Sequence, residues 1–436
     1  AGRGLELPQA GWDAPTSILP DRLQTSGKFF RSGELGDPFF VRCVTFGPFP
    51  LTSFTADEVR EQLIRIKHEL KANAVRFYDV PPIQWLHDCA EIGLYAFVTI
   101  PWTQHADFLS KRADRLEVKK RVREVVGRFQ GHPAVAGYYV GNEIEPSLVR
   151  FLGPEKVCGF LEELIEIGRQ LDPDALFAYA NFPTTEYLLP GNQDFLAFNV
   201  YLEDPNALGR YLDRLQNLAG DIPLLISEFG ADSQAKGLTE QAEILRWHID
   251  EICRSGCAGT TVFAWTDLWM RGGAEIDGWD FGLTDREQKA KPAFDYLAQK
   301  WGAISSAIEG VELKTTPRFS IVICTYKGCE RMREVLESTT KINYPDYEVI
   351  VVNDGDDNSV RQLVSRFDSI QHVGIDHGGL SNARNVGAET ATGEIIAYTD
   401  DDCILEPDWL SWLALAFEHD EQPDCVGGPN LAPPAK

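Results

Sequence analysis

Short apolar runs alternate with amphipathic segments over the first 300 residues of the chain. The amphipathic segments repeat apolar residues at helical spacing, as in Val118, Val122, Val125 and Phe129. We predict eight β-strands in this region, over Phe39–Phe46, Ala74–Tyr78, Tyr95–Pro101, Val135–Gly141, Phe177–Asn181, Phe195–Tyr201, Leu224–Ser227 and Thr260–Trp265. Eight strand-helix units of this kind indicate an α/β fold in the form of a (β/α)8 TIM barrel.

The pattern changes after residue 300. Residues 301–317 are polar and lack clear periodicity, so we predict a linker there. A second α/β unit over 318–436 opens with a strand at Phe319–Thr325. Further strands are predicted at Glu348–Asn353 and Glu394–Thr399. The predicted organisation is therefore a barrel over 1–300 with a short N-terminal extension, a linker over 301–317, and a second domain over 318–436.

Composition and charge limit the classes of function. The net charge of -25 argues against nucleic acid or an anionic membrane as the main partner. Nine cysteines are scattered without a Cys-x-x-Cys pair, which favours free thiols in a reducing compartment. No apolar run approaches the ~20 residues that span a bilayer, and no signal peptide is visible. We therefore expect a cytoplasmic chain without a membrane segment; any membrane association of the parent protein would come from other segments.

Two of the predicted barrel strands end in a carboxylate. Pro223-Leu-Leu-Ile-Ser-Glu-Phe-Gly230 places Glu228 at the tip of a strand, just before a glycine. Val135-Ala-Gly-Tyr-Tyr-Val-Gly-Asn-Glu143 places Glu143 in the same way, behind an asparagine. Reactive groups of a parallel barrel lie at the carboxyl ends of its strands. Two carboxylates there suit glycosidic-bond chemistry, which needs one acid and one nucleophile or base.

Further motifs accompany these two acids: Gly141-Asn-Glu143, Ser227-Glu-Phe-Gly230, Arg76, Asn199-Val-Tyr201, Trp265 and Gly282-Leu-Thr-Asp-Arg-Glu-Gln-Lys-Ala-Lys-Pro292. With them, the region from residue 30 to residue 300 resembles the clan A glycoside hydrolases, and is most similar to the barrel domain of glycoside hydrolase family 2. Members of that family usually carry β-sandwich domains ahead of the barrel. Few residues precede the first strand here, so the specificity of the family is not carried over.

The resemblance implies a role for each matched residue. Glu143 would be the acid/base and Glu228 the nucleophile of a retaining mechanism, which needs no metal. Arg76 and Tyr201 would orient Glu228, and both would help to keep it ionised. The remaining implied contacts to the sugar are Asn142 with the 2-hydroxyl and Trp265 as the floor of the subsite.

Three more side chains are candidates for sugar binding in the barrel. Trp102 and Trp269 can stack on the apolar faces of sugar rings, and His105 lies near Trp102 in the sequence. The alternative for all three is packing at the rim of the barrel. Glu145, two residues after Glu143, is expected to be a rim residue or a subsite contact.

The second unit carries another set of motifs: Ser320-Ile-Val-Ile-Cys-Thr-Tyr326, Glu348-Val-Ile-Val-Val-Asn-Asp-Gly355, Gly379-Leu-Ser-Asn-Ala-Arg-Asn-Val-Gly387 and Asp400-Asp-Asp402. They resemble the nucleotide-binding half of family 2 glycosyltransferases, which have the GT-A fold. The resemblance implies that a nucleotide sugar contacts Thr325, Asp354, Arg384 and Asp401. Asp400 and Asp402 would hold Mg²⁺ or Mn²⁺, because hard cations prefer carboxylate oxygens.

Two functions remain open at this point. The first is a retaining enzyme that hydrolyses or transglycosylates a β-linked oligo- or polysaccharide, within a bifunctional parent. The second is a glycosyltransferase of polysaccharide synthesis with an accessory glycan-binding barrel. The acceptor-binding half of a family 2 transferase does not follow Lys436. We therefore expect the transferase part to be truncated, and its transfer activity to be doubtful.

Overall fold

The computed structural model describes residues 16–32, 37–49, 54–271, 274–309, 313–328, 330–418 and 423–428. The described residues form two compact units, one within residues up to Ile308 and the other within Glu309–Asn430. Helix Pro292–Glu309 covers the first part of the predicted linker. Trp301 of this helix is fully buried, and its carbonyl accepts a hydrogen bond from Arg42 at 3.0 Å. The beginning of the predicted linker thus packs on the first unit.

The first unit is a closed barrel of eight parallel strands, which confirms the predicted (β/α)8 fold. Its strands are β4 (Val41–Phe46), β5 (Ala74–Phe77), β6 (Tyr95–Thr99), β7 (Val135–Asn142), β8 (Leu176–Asn181), β9 (Leu196–Asn199), β10 (Leu224–Phe229) and β11 (Gly259–Val262). Neighbours follow sequence order, and β11 closes the barrel on β4.

Helices surround the barrel. They are α1 (Ala56–His68), α2 (Ile83–Ile92), α3 (Arg112–Phe129), α4 (Pro146–Leu152), α5 (Pro154–Leu171), α6 (Pro205–Ala219), α7 (Ser233–Lys236), α8 (Leu238–Arg254) and α9 (Pro292–Glu309). Helix α1 begins with a capping box between Thr55 and Glu58. Its apolar face, with Val59, Leu63 and Ile66, is buried against the strands, in the largest hydrophobic core of the unit.

A small antiparallel sheet covers the floor of the barrel. It consists of β1 (Gln24–Ser26), β2 (Phe29–Ser32) and β3 (Asp37–Phe39). Leu23 and Phe30 are fully buried in the core inside the barrel, and the Phe30 ring lies 5.4 Å from that of Phe195. Phe39 belongs to this sheet, so the predicted first strand of the barrel is shorter than expected. The covered floor leaves the carboxyl ends of the strands as the open side.

The second unit contains a parallel four-stranded sheet in the order β16-β15-β14-β17. Its strands are β14 (Phe319–Thr325), β15 (Tyr347–Asp354), β16 (Ile370–Ile375) and β17 (Ile395–Asp400). Its helices are α10 (Met332–Thr339), α11 (Asn358–Val364), α12 (Leu380–Thr390) and α13 (Trp409–Phe417). In the two units, none of the described helices is both long enough and apolar enough to cross a membrane.

Candidate active site

A cavity of about 750 Å³ opens among the ends of the barrel strands. Thr99, Asn142 and Glu228, at the carboxyl ends of β6, β7 and β10, line it. Glu143, the residue after β7, lines it as well. The barrel therefore brings the two carboxylates predicted from the sequence to one cavity.

Glu228 is the penultimate residue of strand β10 and is only 5% exposed. Its Oε1 atom accepts a hydrogen bond from Arg76 at 2.8 Å, and its Oε2 atom accepts one from the Tyr201 hydroxyl at 3.1 Å. Burial raises the pKa of Glu228 to about 7, while Arg76 opposes this rise and Glu143 adds to it. Both predicted partners thus contact the predicted nucleophile.

Gly230, two residues after Glu228, also lines the cavity. A Cβ atom at this position would lie 2.3 Å from the carbonyl oxygen of Phe263. A side chain here would therefore force apart the ends of two neighbouring strands. This close approach explains why a glycine follows the carboxylate so closely in the sequence.

Arg76 is fully buried beneath the cavity. Besides Glu228, its guanidinium donates to the Ser227 carbonyl and to the Asn142 Oδ1 atom, each at 2.8 Å, and it lies over the Tyr139 ring at 4.5 Å. These contacts hold the group in one orientation, so that its charge is directed at Glu228. We expect it to keep the carboxylate aimed into the cavity.

Glu143 adopts a backbone conformation that is unusual for a residue with a side chain. Its φ angle is +50°, and its N–H donates to the Ala180 carbonyl of strand β8 at 3.0 Å. Positive φ angles outside glycine are uncommon and gather at functional sites. The alternation of residues along strand β7 does not reveal this conformation.

Asn199 holds the side chain of Glu143. The Asn199 Nδ2 atom donates to Glu143 Oε1 at 2.9 Å and to Asn142 Oδ1 at 3.2 Å, and its Oδ1 atom accepts from Ser227 Oγ at 2.7 Å. Asn199 is 1% exposed. The sequence marked it as part of a motif but assigned it no role, because only the fold reveals its partner.

Asn142 lines the cavity, and its side chain is hydrogen-bonded to other side chains of the protein. Its Nδ2 atom donates to the Tyr78 hydroxyl at 3.0 Å, and its backbone N–H donates to Gln104 Oε1 at 3.0 Å. Tyr78 and Gln104, to which the sequence analysis gave no role in the site, line the cavity too. Tyr78 lies two residues beyond Arg76, a spacing that predicts the same side of a strand. This spacing is the signal that would have identified it.

Aromatic rings form much of the cavity wall. Trp102 and Trp269 line the cavity, together with the exposed His105. The Trp102 indole N–H donates to the Val140 carbonyl at 2.7 Å, which fixes the ring. The wall also contains aromatic residues that the sequence analysis missed, namely Phe263, Trp279 and Phe281.

Trp265 does not form the floor of the subsite, and this prediction was wrong. The side chain is fully buried and is absent from the cavity lining. Its indole N–H donates to Gln62 of α1 at 3.0 Å, and its ring packs 5.9 Å from that of Phe294. Phe263 lines the cavity instead. Phe263 and Trp265 both lie beyond the end of β11 at Val262. Strand alternation no longer determines the direction of a side chain there.

A buried ion pair supports the loop that carries Trp269. Lys291 Nζ lies 2.7 Å from Asp267 Oδ1, and both side chains are at most 6% exposed. The same ammonium donates to Ser233 Oγ and to the Asp280 carbonyl. Asp267 is therefore a buried structural residue.

The second unit gathers its predicted residues around the carboxyl ends of β14, β15 and β17. Thr325 Oγ1 donates to Asp401 Oδ2, and Arg384 contacts Asp400 at 3.3 Å. Asp400 and Asp402 are exposed. Four of the predicted residues thus form two contacting pairs near one edge of the sheet.

Asp354 is 3% exposed and organises a loop. Its Oδ1 atom accepts from the Gly378 N–H at 2.7 Å, and its Oδ2 atom accepts from Gly379 at 3.0 Å and from His377 at 2.9 Å. The Gly378 N–H, above all, holds the pKa of Asp354 below its ordinary value. The residue thereby fixes the segment that leads into helix α12.

Asp400, the last residue of β17, and Asp402 carry carboxylates of the kind that bind a divalent cation. The described residues contain no group of three or more His, Cys, Asp or Glu side chains arranged to hold a metal. Mg²⁺ is commonly bound through one or two carboxylates together with substrate phosphates, so Asp400 and Asp402 match that mode. The metal stays a prediction.

Residues 320–431 match the family model described as glycosyl transferase family 2. The glucosyl-dolichyl phosphate glucuronosyltransferase of Haloferax volcanii is 32% identical over 117 residues, which are 26% of this chain and 37% of the relative. The glycosyltransferase AglE of the same organism is 30% identical over 103 residues, 22% of this chain and 34% of the relative. The chain thus spans about a third of the length of these curated relatives.

Solved structures align with 64% of this chain, a share that the second unit by itself is too short to supply. A β-glucuronidase from Ruminococcus gnavus aligns with a TM-score of 0.56 at 16% identity, over 64% of this chain and 52% of that structure. The β-glucuronidase of Bifidobacterium dentium gives 0.56 at 18% identity, over 64% and 48%. Identities this low show a shared fold. The chain therefore combines a barrel that shares its fold with these β-glucuronidases and a region, residues 320–431, that matches the glycosyl transferase family 2 model.

Proposed function

We propose that the barrel is a retaining enzyme that cleaves β-glycosidic bonds of an oligo- or polysaccharide, with Glu228 as nucleophile and Glu143 as acid/base. The observation that carries the proposal is the pair of carboxylates on one cavity, each held by its own partners. Arg76 and Tyr201 hold Glu228, and Asn199 holds Glu143. The raised pKa of Glu228 reflects burial and the nearby charge of Glu143.

In the first step, a Glu228 oxygen attacks the anomeric carbon of the sugar. A new carbon–oxygen bond forms while the glycosidic bond breaks, and Glu143 gives its proton to the departing oxygen. Arg76 and Tyr201 supply the positive charge and the hydroxyl that orient the attacking carboxylate. Trp269 and the other rings of the wall would bind the apolar faces of the sugar.

In the second step, the ionised Glu143 removes a proton from the incoming acceptor, whose oxygen displaces Glu228 from the anomeric carbon. Water as acceptor gives hydrolysis, and a sugar hydroxyl gives transglycosylation. The two outcomes share the glycosyl-enzyme, so the same residues serve both.

Product analysis tests this proposal. The chain would be incubated with β-linked gluco-, galacto- and manno-oligosaccharides beside Glu228→Gln and Glu145→Gln. Glu145 is a matched control because it is exposed, caps helix α4 and is absent from the cavity lining. We expect shortened or rearranged products from the wild type and from Glu145→Gln, and none from Glu228→Gln. Unchanged turnover in Glu228→Gln would refute the assignment.

A 2-deoxy-2-fluoro glycoside provides a second readout, because it lets the glycosyl-enzyme accumulate. The adduct should appear by mass spectrometry on the peptide that contains Glu228, and the product of complete turnover of an ordinary substrate should retain the anomeric configuration. An inverted product would contradict the double displacement even if the barrel proved to be a glycosidase.

For the second unit we propose nucleotide-sugar binding, supported by the family match over 320–431. Thr325, Asp354, Arg384 and Asp401 would contact the nucleotide sugar. A divalent cation held by Asp400 and Asp402 would neutralise charge on the leaving diphosphate. The alternative function, polysaccharide synthesis with an accessory glycan-binding barrel, rests on the same match. The parent protein would then be bifunctional or a transferase.

Calorimetric titration with nucleoside diphosphate sugars, with and without Mg²⁺ or Mn²⁺, tests the second unit. Asp354→Ala should weaken binding at least about 10-fold, because three donors of the 377–379 segment would lose their acceptor. Asp357→Ala is the control, since that carboxylate caps helix α11. Equal binding by both variants and the wild type would remove Asp354 from the site.

A further inference from the structure

Besides His105, the cavity of the barrel is lined by one lysine and one arginine, which differ in their partners. Lys236 lies 2.8 Å from Glu203 and 3.6 Å from Glu240, so its charge is neutralised by the protein. Arg271 is exposed, and no carboxylate of the described residues lies within ion-pairing distance of its guanidinium. Arg271 is therefore the cavity-lining cation whose charge is available to a ligand, as far as the described residues show.

Arg271 is held at the wall by its backbone. It lies on β12 (Met270–Arg271), which pairs with β13 (Ala274–Glu275), and the Met270 N–H donates to the Pro48 carbonyl at 3.1 Å. This anchoring fixes the starting point of its side chain beside the cavity.

The guanidinium of Arg271 acts on the catalytic end of the cavity. Burial raises the pKa of Tyr78, and the charge of Arg271 opposes that rise. The Tyr78 hydroxyl accepts a hydrogen bond from Asn142, whose own oxygen accepts from Arg76. The charge of Arg271 thus reaches Tyr78, which is hydrogen-bonded to Asn142 at the catalytic end of the cavity.

We propose that Arg271 binds the carboxylate of a uronic acid, so that the substrate is a β-glycoside of a sugar acid. The inference deepens the proposed function of the barrel and rests on it. Glu143, Glu203, Glu228 and Asp232 all line the same cavity and repel an anionic sugar. A free guanidinium among them offsets this repulsion, and its planar fork matches a carboxylate in a bidentate manner.

The first test is binding, which does not depend on turnover. Free glucuronic, galacturonic and mannuronic acids would be titrated against the chain beside their parent hexoses, with the fluorescence of the cavity tryptophans as readout. We expect one uronic acid to bind about 10- to 100-fold more tightly than its hexose, as a charged hydrogen-bonded contact allows. Arg271→Gln should abolish the difference, and Arg271→Lys should retain part of it.

Lys236→Gln is the matched control, because it also removes one positive charge from the cavity wall. It should leave the preference for the uronic acid within about threefold, since Glu203 already neutralises that lysine. Uronic acids that bind no more tightly than hexoses would overturn the proposal. The proposal would also be overturned if Arg271→Gln and Lys236→Gln lost the preference for the uronic acid equally, or if sugar sulfates bound more tightly than uronic acids.

Kinetics separate this proposal from the function on which it rests. Nitrophenyl β-uronides and the matching β-hexosides would be compared in the wild type, Arg271→Gln and Glu228→Gln. Loss of uronide turnover alone in Arg271→Gln supports the proposal. Hexoside turnover that depends on Glu228 but not on Arg271, without uronide turnover, would refute the acidic substrate and leave the glycosidase function intact. Uronic acid binding without turnover in any variant would instead count against the glycosidase function.

Discussion

Arg76 and Glu228 form an ion pair of 2.8 Å in which the arginine side chain is fully buried and the glutamate side chain is 7% exposed. The pair joins strands β5 and β10 across the barrel, and the guanidinium also donates to Ser227 and Asn142. A charge without a partner is very unfavourable at such depth. Each member of the pair therefore favours the charged form of the other, and Arg76 opposes the rise that burial causes in the pKa of Glu228.

The first prediction concerns this ion pair and the activity. Arg76→Gln should raise the pKa of Glu228 above the present value of about 7, because Arg76 is the main group that lowers it. Less of the nucleophile is then ionised at neutral pH, and kcat/KM should fall about 100-fold or more. The pH profile of kcat/KM should show its acidic limb at higher pH. Arg76→Lys keeps the charge and should displace the limb less; equal profiles for the three proteins would contradict this prediction.

The same ion pair should govern how stability depends on pH. A carboxyl whose pKa is raised by folding stabilises the folded state fully below its unfolded value, and this contribution is lost as pH rises through the folded pKa. For Glu228 that window runs from 4.5 to about 7. Arg76→Gln widens the window upward, so its free energy of unfolding should fall more steeply between about pH 5 and about pH 8 than that of the wild type. Urea denaturation at both pH values measures the free energy of unfolding. An equal decrease in the wild type and in Arg76→Gln would contradict this prediction.

The second carboxylate should affect the titration of the first. Because the charge of Glu143 raises the pKa of Glu228, Glu143→Gln should move the acidic limb of kcat/KM to lower pH. An aryl glycoside with a good leaving group is the substrate to use, since its cleavage does not need the acid. Glu145→Gln should leave the limb in place. A limb that moves upward in Glu143→Gln would show that the two groups are not coupled as described.

Asn199 is expected to position the acid/base. Asn199→Ala removes the 2.9 Å hydrogen bond to Glu143 and should reduce kcat about 10- to 100-fold for poor leaving groups. Activated aryl glycosides should be affected much less, so the dependence of rate on leaving-group pKa should steepen. Asn217→Ala, on the exposed side of α6, is the control. A uniform loss for all substrates would indicate a general structural defect instead.

Trp265 and Trp269 should separate stability from sugar binding. Trp265→Leu removes a buried ring and its hydrogen bond to Gln62, and should lower the free energy of unfolding by about 2–4 kcal/mol. At temperatures where it stays folded, its KM should be unchanged. Trp269→Leu removes a ring from the cavity wall and should raise KM about 10-fold. A larger change of KM in Trp265→Leu than in Trp269→Leu would restore the original assignment of Trp265.

Much of the architecture followed from the chain pattern. Apolar runs that alternate with amphipathic segments indicate a parallel sheet covered by helices, and eight such units in about 300 residues favour a closed barrel. Glu143 and Glu228 were recognisable because each ends such a run. Arg76 and Tyr201 were recognisable as partners of Glu228 through the resemblance to a known family.

Contacts between distant segments required the folded chain. The amide of Asn199 reaches Glu143 across 56 positions of sequence, and Lys291 reaches Asp267 across 24. Trp265 was misplaced because it follows the end of a strand, where side-chain direction depends on packing against α1 and α9. Arg271 attracted no attention in the sequence, since an exposed arginine is common and only the folded chain places it at the wall of the cavity.

The sequence by itself determined which segments form strands and helices, because periodicity is a local property that burial of one face imposes. It also determined which residue types stand at the ends of the strands. The tertiary structure decided which of these side chains meet, which face the cavity and which are neutralised. Those outcomes depend on closure of the barrel, which brings strands β4 and β11 together and sets the register of every residue at its mouth.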